Sequence, residues 1–429
     1  MLPPDHLQRM ALADEVHARP PEPLQTPSRV TYLALLVAPE DRDRELAHIA
    51  VLGEQFSLPR PDGGATQFSA QLGSLRFKWE RHGEFSAFTL IEPGLPQGDA
   101  FGEPVAARLP AGWLADLPGH TLVAAHGKVV QATPEPPGPH VLAAHFGGNT
   151  VVGADIGEGA GAAYTDFRIH ADGLSRFLMV DRHFTPGQAG RMLQRLFEIE
   201  AYRMMALLAF PIARAQLQRT VAVERALSAL TGRIAADGGD DEALLQELTR
   251  LAAEIEREIT GSQFRFGACR AYHALVATRI SELRESRLPG LQTIDEFMAR
   301  RLNPAVDTCA TAARRLHELS ERVAQISGLL STRVEIKRER QNQALLASMD
   351  RRARLQLRLQ QTVEGLSLAA IVYYVAGLVG YLAKAGKAAG LRVEPDLLIG
   401  LAIPVVALVT MLGLRHTRRK LHRDTGDGA

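Results

Sequence analysis

Two uncharged stretches close the chain, Gly365 to Ala383 and Leu397 to Leu414, bounded by Glu364 and Lys384 and by Asp396 and Arg415. At 1.5 Å per residue each spans roughly 27–29 Å as a helix, close to the hydrocarbon thickness of a bilayer. A single stretch of this kind also fits a buried core helix. Two of them, separated by a short charged loop and followed only by a basic tail, read as a transmembrane hairpin. Pro404 falls inside the second stretch, where a neighbouring helix can satisfy the carbonyl it frees.

Positive charge orients such a hairpin. Arg351, Arg352, Arg354 and Arg358 precede the first span, and Arg415, Arg418, Arg419, Lys420 and Arg423 follow the second. The connecting loop carries only Lys384, Lys387 and Arg392. Nine against three predicts that both termini lie in the cytoplasm and that only the loop reaches the far side. Within AIVYYVAGLVGYLAKAGK, Ser367, Tyr374 and Tyr381 recur every seven residues, with Ala370 and Gly377 between them. This face is either a helix–helix seam, where small residues permit close approach, or the wall of a pore.

The rest of the chain reads as water-soluble. Its 429 residues allow two or three domains, and 46% hydrophobic with 23% charged residues is ordinary globular composition. A net charge of +1 argues against a nucleic-acid partner. Cys269 and Cys309 lack a C-x-x-C spacing and read as reduced, buried small hydrophobes of a reducing compartment. The first residues show no basic start and apolar run of a secretory signal.

Residues 29–185 have an α+β pattern after an extended arm, 1–28. RVTYLALLV is strand-like, DRDRELAHIAVLGEQF helical, and QFSAQLGSLRFKWERH and FSAFTLIE alternate as strands with a turn at His82–Glu84. A short helix over 104–116 and the strand HTLVAAHGKVV complete a β-α-β-β-α-β order, which predicts a ferredoxin-like or related αβ sandwich. HVLAAHFG, NTVVGADI, YTDFRIH and SRFLMVDR read as further strands. From Thr185 onward the chain is helical. A first helix stops at Pro211, and a second runs to about Ala236, with Asp240 or Asp241 an N-cap for the next. The bundle spans 186–311 and a stalk helix 312–364. Leu316, Leu319, Val323, Ile326 and Leu330 repeat at coiled-coil spacing, resumed at Leu355, Leu359 and Leu366. The spans then occupy 365–383 and 397–414, with a loop at 384–396 and a tail at 415–429.

Few motifs carry chemistry. GADIGEGAGA precedes a strand-like run and so lacks the helix N-terminus a phosphate loop needs; it reads as a hairpin or surface loop. As strand residues, His120 and His126 share a face and His140 and His145 oppose each other, and no ligand frame supports a metal. Glu198 and Tyr202, and Glu200 and Arg203, are helical neighbours that stabilise a bundle helix. In EVHARP, His17 and Arg19 sit on an extended arm as contacts for an anion or a partner, or simply as structural pairs for nearby carboxylates. No nucleophile motif, catalytic constellation or cofactor site emerges.

EVHARP, LRFKWERHGEFSAFTL, RLFEIEAYRMMALLAFP and SMDRRARLQLRLQQTVEGLSLAAIVYYVAGLVGYLAK together resemble a bacterial family of membrane-anchored proteins known as a domain of unknown function. The resemblance covers essentially the whole chain and implies no activity. The layout alone also resembles that of the CorA-type magnesium channels. Those carry Gly-Met-Asn after the first span, where this chain has GLVGYLAKAGK. The resulting expectation is a multi-pass protein of the bacterial inner membrane. Lipid is its partner, its cytoplasmic domain binds, senses or scaffolds an unidentified ligand, and its stalk joins copies into a homo-oligomer. A CorA-like transporter and a membrane-tethered enzyme are the alternatives.

Overall fold

The structure is a computed structural model that describes residues 3–10, 12–13, 20–95, 101–236, 240–389 and 394–424, with backbone alone over 414–424. The chain divides into two compact units, Met1–Gly328 and Leu329–Ala429.

The first unit is built on a nine-stranded mixed sheet, not the four-stranded sandwich of the ferredoxin-like pattern. Its strands are β1 Ser28–Leu36, β2 Gln67–Leu72, β3 Leu75–Arg81, β4 Phe85–Pro93, β5 His120–Gln131, β6 Val152–Ile156, β7 Gly161–Thr165, β8 Ser175–Asp181 and β9 Ser286–Arg287. They lie in the order β2-β3-β4-β1-β5-β8-β7-β6-β9. Local hairpins build β2-β3-β4 and β8-β7-β6, and β9 adds to β6 from far along the chain. The parallel pairing of β5 with β8 joins the two halves, and it depends on a long connection that no local pattern announces.

Alternation along β1 explains why it sits centrally. Val30, Tyr32 and Ala34 face one hydrophobic core, while Leu33 and Leu35 face another. The second core gathers Phe77, Trp79, Phe88 and Leu90 under helix α1 (Arg42–Gln55), which contributes Ile49 and Leu52. At the far end of that face, α2 (Pro139–Phe146) covers Tyr164, Leu178 and Val180 with Leu142 and Phe146. This helix replaces the strand expected for HVLAAHFG. Pro139 opens its first turn, Gly147 closes it in the left-handed region at φ 60°, and Leu142 and Phe146 stack one turn apart.

The other face of the sheet carries α3 (Pro186–Leu207), α4 (Ala209–Ala235), α5 (Asp241–Leu283) and α6 (Ile294–Arg301), followed by α7 (Asn303–Ala388). Leu193, Leu196, Phe197 and Ile199 of α3 join the core against β1, and Tyr32 stacks on Phe197 at 4.9 Å. The α3–α4 break falls at Leu208 rather than Pro211, which is tolerated in the first turn of α4. Asp240 caps α5 as expected, accepting the Glu242 N–H at 3.0 Å. Only a 3-10 turn, Val105–Arg108, occupies the expected helix over 104–116. Strand β7 ends at Thr165, so the rest of YTDFRIH is loop. GADIGEGAGA is the β6–β7 hairpin, and most of it is buried.

Helix α7 is unbroken through the predicted stalk. Leu316, Leu319, Val323 and Leu330 are buried by the chain itself. Leu355, Leu359 and Leu366 are 59%, 67% and 75% exposed.

In the second unit the apolar end of α7 packs on α8 (Pro395–Asp424). Ala376, Gly380 and Ala383 form the close side of α7. Ile399 of α8 approaches so near Gly380 that an added Cβ would lie 2.8 Å from its Cδ1. Both helices are long and apolar enough to cross a membrane, with mean hydropathy of 1.9 and 2.2 over their most apolar windows.

Candidate functional site

Two polar features of the first unit invite a functional reading, and their sizes separate them. One is a charged seam between the sheet and α3. Lys78 and Glu80 project from β3 and pair at 2.9 Å, both almost fully buried. The Lys78 ammonium also donates to the Pro20 carbonyl at 2.7 Å. Glu22 accepts from Arg76 at 2.8 Å and from Ser69. Burial works to raise the Glu22 carboxyl, but the Arg76 and Ser69 hydrogen bonds outweigh it and hold it below its usual range.

Residues 20–24 thus form a strap across the seam. Leu24 N–H donates to the Pro186 carbonyl, and the Glu22 carbonyl passes over Gly190, where any Cβ would collide with it. Beneath lie Tyr32, His82, Gln194 and Glu198. Glu198 accepts from Gln194 at 2.7 Å and from Arg279. Burial, then the Glu198 carboxylate, pushes the Tyr32 phenol well above its ordinary value and that of Tyr202 to about 12. The enclosed space is about 30 Å³, room for one or two waters and not for a metabolite. Its carboxylates are all paired. The seam is a charged clasp that fixes the strap to the sheet.

The second feature is a cleft of about 430 Å³ between the start of α3, the β6–β7 hairpin and the end of α5. That volume is within the range of small-ligand sites. Gly157, Phe184, Gln188, Arg191, Arg195, Ser281, Glu282 and Arg284 line it. A capping box places the start of α3, with Thr185 Oγ1 accepting the Gln188 N–H. At the end of α5, the Gly157 N–H donates to the Leu283 carbonyl at 2.8 Å and so ties the hairpin to the helix. Arg195 holds Glu282 at 3.0 Å, Arg279 holds the same carboxylate at 3.0 Å, and Arg284 pairs with Glu158 on the surface. Arg191 is exposed and has no partner among the described residues. Among the described residues the cleft therefore carries an unpaired cation, the charge an anionic ligand would meet. Among the described residues no His, Cys, Asp and Glu cluster is able to hold a metal.

His17 and Arg19 lie outside the described residues. Arg351, Arg352, Arg354 and Arg358 are exposed along α7, whereas Arg415, Arg418, Arg419 and Lys420 fall where α8 is described by backbone alone. Ser367, Ala370, Tyr374, Gly377 and Tyr381 share an exposed face, distinct from the Ala376–Gly380–Ala383 side that meets α8. A Cβ on Gly377 would meet nothing within 4 Å.

Two sites escaped the sequence. His126 is wholly buried, with neither ring nitrogen hydrogen-bonded, beside the Phe101 ring. Its neighbours come from β8 and from the segment before β5, and no local pattern brings them together. Cys269 and Cys309 are buried as expected, yet they are neighbours, because α5 and α7 meet close by, at His273 and Asn303.

A sheet domain with a charged helical layer, joined in one chain to two bilayer-length apolar helices, defines the class. The chain belongs to the family described as protein of unknown function (DUF3422), whose model matches residues 4–421. No curated protein and no solved structure matches it.

Proposed function

We propose that this protein is a bacterial inner-membrane protein whose cytoplasmic sheet domain binds a small anionic ligand and whose stalk associates with copies of itself. The observation that carries the membrane reading is the outward face of the hairpin. Tyr373, Tyr374, Tyr381, Leu366 and Leu397 are each more than 70% exposed. In water such a surface is strongly unfavourable; in lipid it is solvated. The positive-inside pattern supports cytoplasmic termini, and the loop's Lys387 is further neutralised by Glu394 at 3.0 Å. The uncompensated Arg191 and the size of its cleft support the anionic ligand.

Alkaline carbonate extraction of membranes tests the anchor: the full chain stays in the pellet, and release into the supernatant sinks it. Alkaline phosphatase fused to the C-terminus is inactive if that end is cytoplasmic. Calorimetric titration with inorganic phosphate and citrate tests the cleft, where Arg191→Glu abolishes binding. Saturable cation flux in reconstituted liposomes would replace the anchor reading with a CorA-like transporter.

A further inference from the structure

The two cysteines are forty residues apart in sequence, and two independent features place them face to face. Helices α5 and α7 are pinned at one point by His273, whose Nε2 lies 2.8 Å from Asn303 Oδ1. Cys269 is one turn back from His273, and Cys309 is fewer than two turns beyond Asn303. In an antiparallel pair those displacements run in the same direction. Phe266, Val276, Met298, Leu302 and Ala312 belong to the same core cluster as both cysteines, as that register requires. The two thiols lie close enough to perturb each other's ionisation. Both are nearly inaccessible, at 2% and 3% exposure.

The pair is asymmetric. The neighbouring Cys309 favours the Cys269 thiolate, an effect that outweighs burial, and Arg265 and Arg270 add favourable charge; Cys269 is shifted below an ordinary thiol. The neighbouring Cys269 and burial push Cys309 up.

We propose that Cys269 and Cys309 are a redox-active dithiol, oxidised by a small peroxide to a disulfide that bonds α5 to α7. The Cys269 thiolate attacks one oxygen of hydrogen peroxide and the O–O bond breaks. Hydroxide leaves and takes up the thiol proton as water, and Cys269 becomes a sulfenic acid. The Cys309 sulfur then attacks that sulfur, the S–O bond breaks, and the departing oxygen carries the Cys309 proton away in a second water. Two thiols and one peroxide yield one disulfide and two waters, and a dithiol reductant supplies the two electrons for return. Burial makes the step slow and confines it to an oxidant small enough to enter the core. The proposal depends on neither the membrane reading nor the anion cleft.

The test uses the full chain in detergent, treated with hydrogen peroxide, denatured in acid and alkylated. Untreated protein takes up two alkyl groups. Treated protein takes up none, is lighter by two hydrogens, and yields a tryptic peptide in which Cys269 is linked to Cys309 of the same chain. Dithiothreitol restores both thiols. In Cys309→Ser, dimedone captures a sulfenic acid at Cys269, whereas Cys269→Ser resists oxidation at Cys309. If either variant fails to fold, the linked peptide from the unaltered protein decides. Two alkylatable thiols after peroxide, sulfinic or sulfonic acids on both cysteines without a link, or a link only between chains would each overturn the proposal.

Discussion

Trp79, Phe77 and Phe88 in the first unit are wholly buried, while Tyr373, Tyr374 and Tyr381 in the second are about three-quarters exposed. The same class of side chain meets opposite fates within one chain. In the sheet domain, aromatic rings pack edge to face, as Phe77 does on Trp113 at 5.9 Å, and water is excluded on both faces of the central strands. In the hairpin the small-residue side of α7, Ala376, Gly380 and Ala383, meets Ile399 of α8, and the tyrosines of α7 are left exposed. The difference teaches that apolar content does not specify burial. Burial follows from whether a second layer of the chain is available to cover the surface, and along the described apolar end of α7 that cover is limited to the Ala376–Gly380–Ala383 side.

The largest effect expected from this contrast is a matched pair of truncations. Phe177→Ala, which removes a ring packed edge-on to Phe167 and Phe197, costs about 3–5 kcal/mol of sheet-domain stability. Tyr374→Ala changes it by less than about 0.5 kcal/mol. Thermal unfolding of the detergent-solubilised chain reads both, and equal losses would erase the distinction between the units.

Acid sharpens the contrast next. Burial, reinforced by Arg29, Arg176 and Lys128 and opposed by Asp172, lowers His126 to about 4. The unfolded chain therefore binds a proton that the folded domain refuses between about pH 6.5 and 4. The stability supplied by the neutral imidazole is fully present above pH 6.5 and is lost as pH falls toward 4, by roughly 2–3 kcal/mol. His126→Phe removes this acid limb from the pH profile of the melting temperature. An unchanged difference between pH 7 and pH 4.5 would refute the assignment.

Gly190→Ala carries a cost of about 1–3 kcal/mol, because its Cβ collides with the Glu22 carbonyl and the strap must lift. Limited proteolysis then cuts near residues 20–24, where the unaltered protein resists.

The smallest effects distinguish the two faces of the first apolar helix. Gly380→Leu strikes Ile399 and loosens the hairpin within one chain, whereas Gly377→Leu meets open space there. If the Ser367–Tyr381 face joins copies, Gly377→Leu lowers the cross-linked oligomer fraction by about tenfold while each hairpin stays intact. If that face lines a pore, flux is lost and the oligomer persists.

Legibility followed the range of the interactions. The strand RVTYLALLV, the β3–β4 turn, the Asp240 cap and the helical run through the stalk are local, and the sequence displays them. HVLAAHFG misled because an eight-residue apolar run satisfies both periods, and only Pro139 and Gly147 decided for a helix. Strand β9 has two residues and no pattern of its own; its pairing with Ala154 and Asp155 creates it. The arginine cleft draws on β6–β7, α3 and α5, so its residues are separated by more than a hundred positions and share no motif.

By itself the sequence determined the two apolar helices, the mixed strand-and-helix character of what precedes them and most local elements, because each depends on composition or on periods of two and 3.6 residues. Only the tertiary structure decided the nine-strand order, the strap over Gly190, the orphaned His126 and the meeting of Cys269 with Cys309. These depend on which distant segments share a surface, and that choice is made by the packing of whole layers rather than by any short stretch of chain.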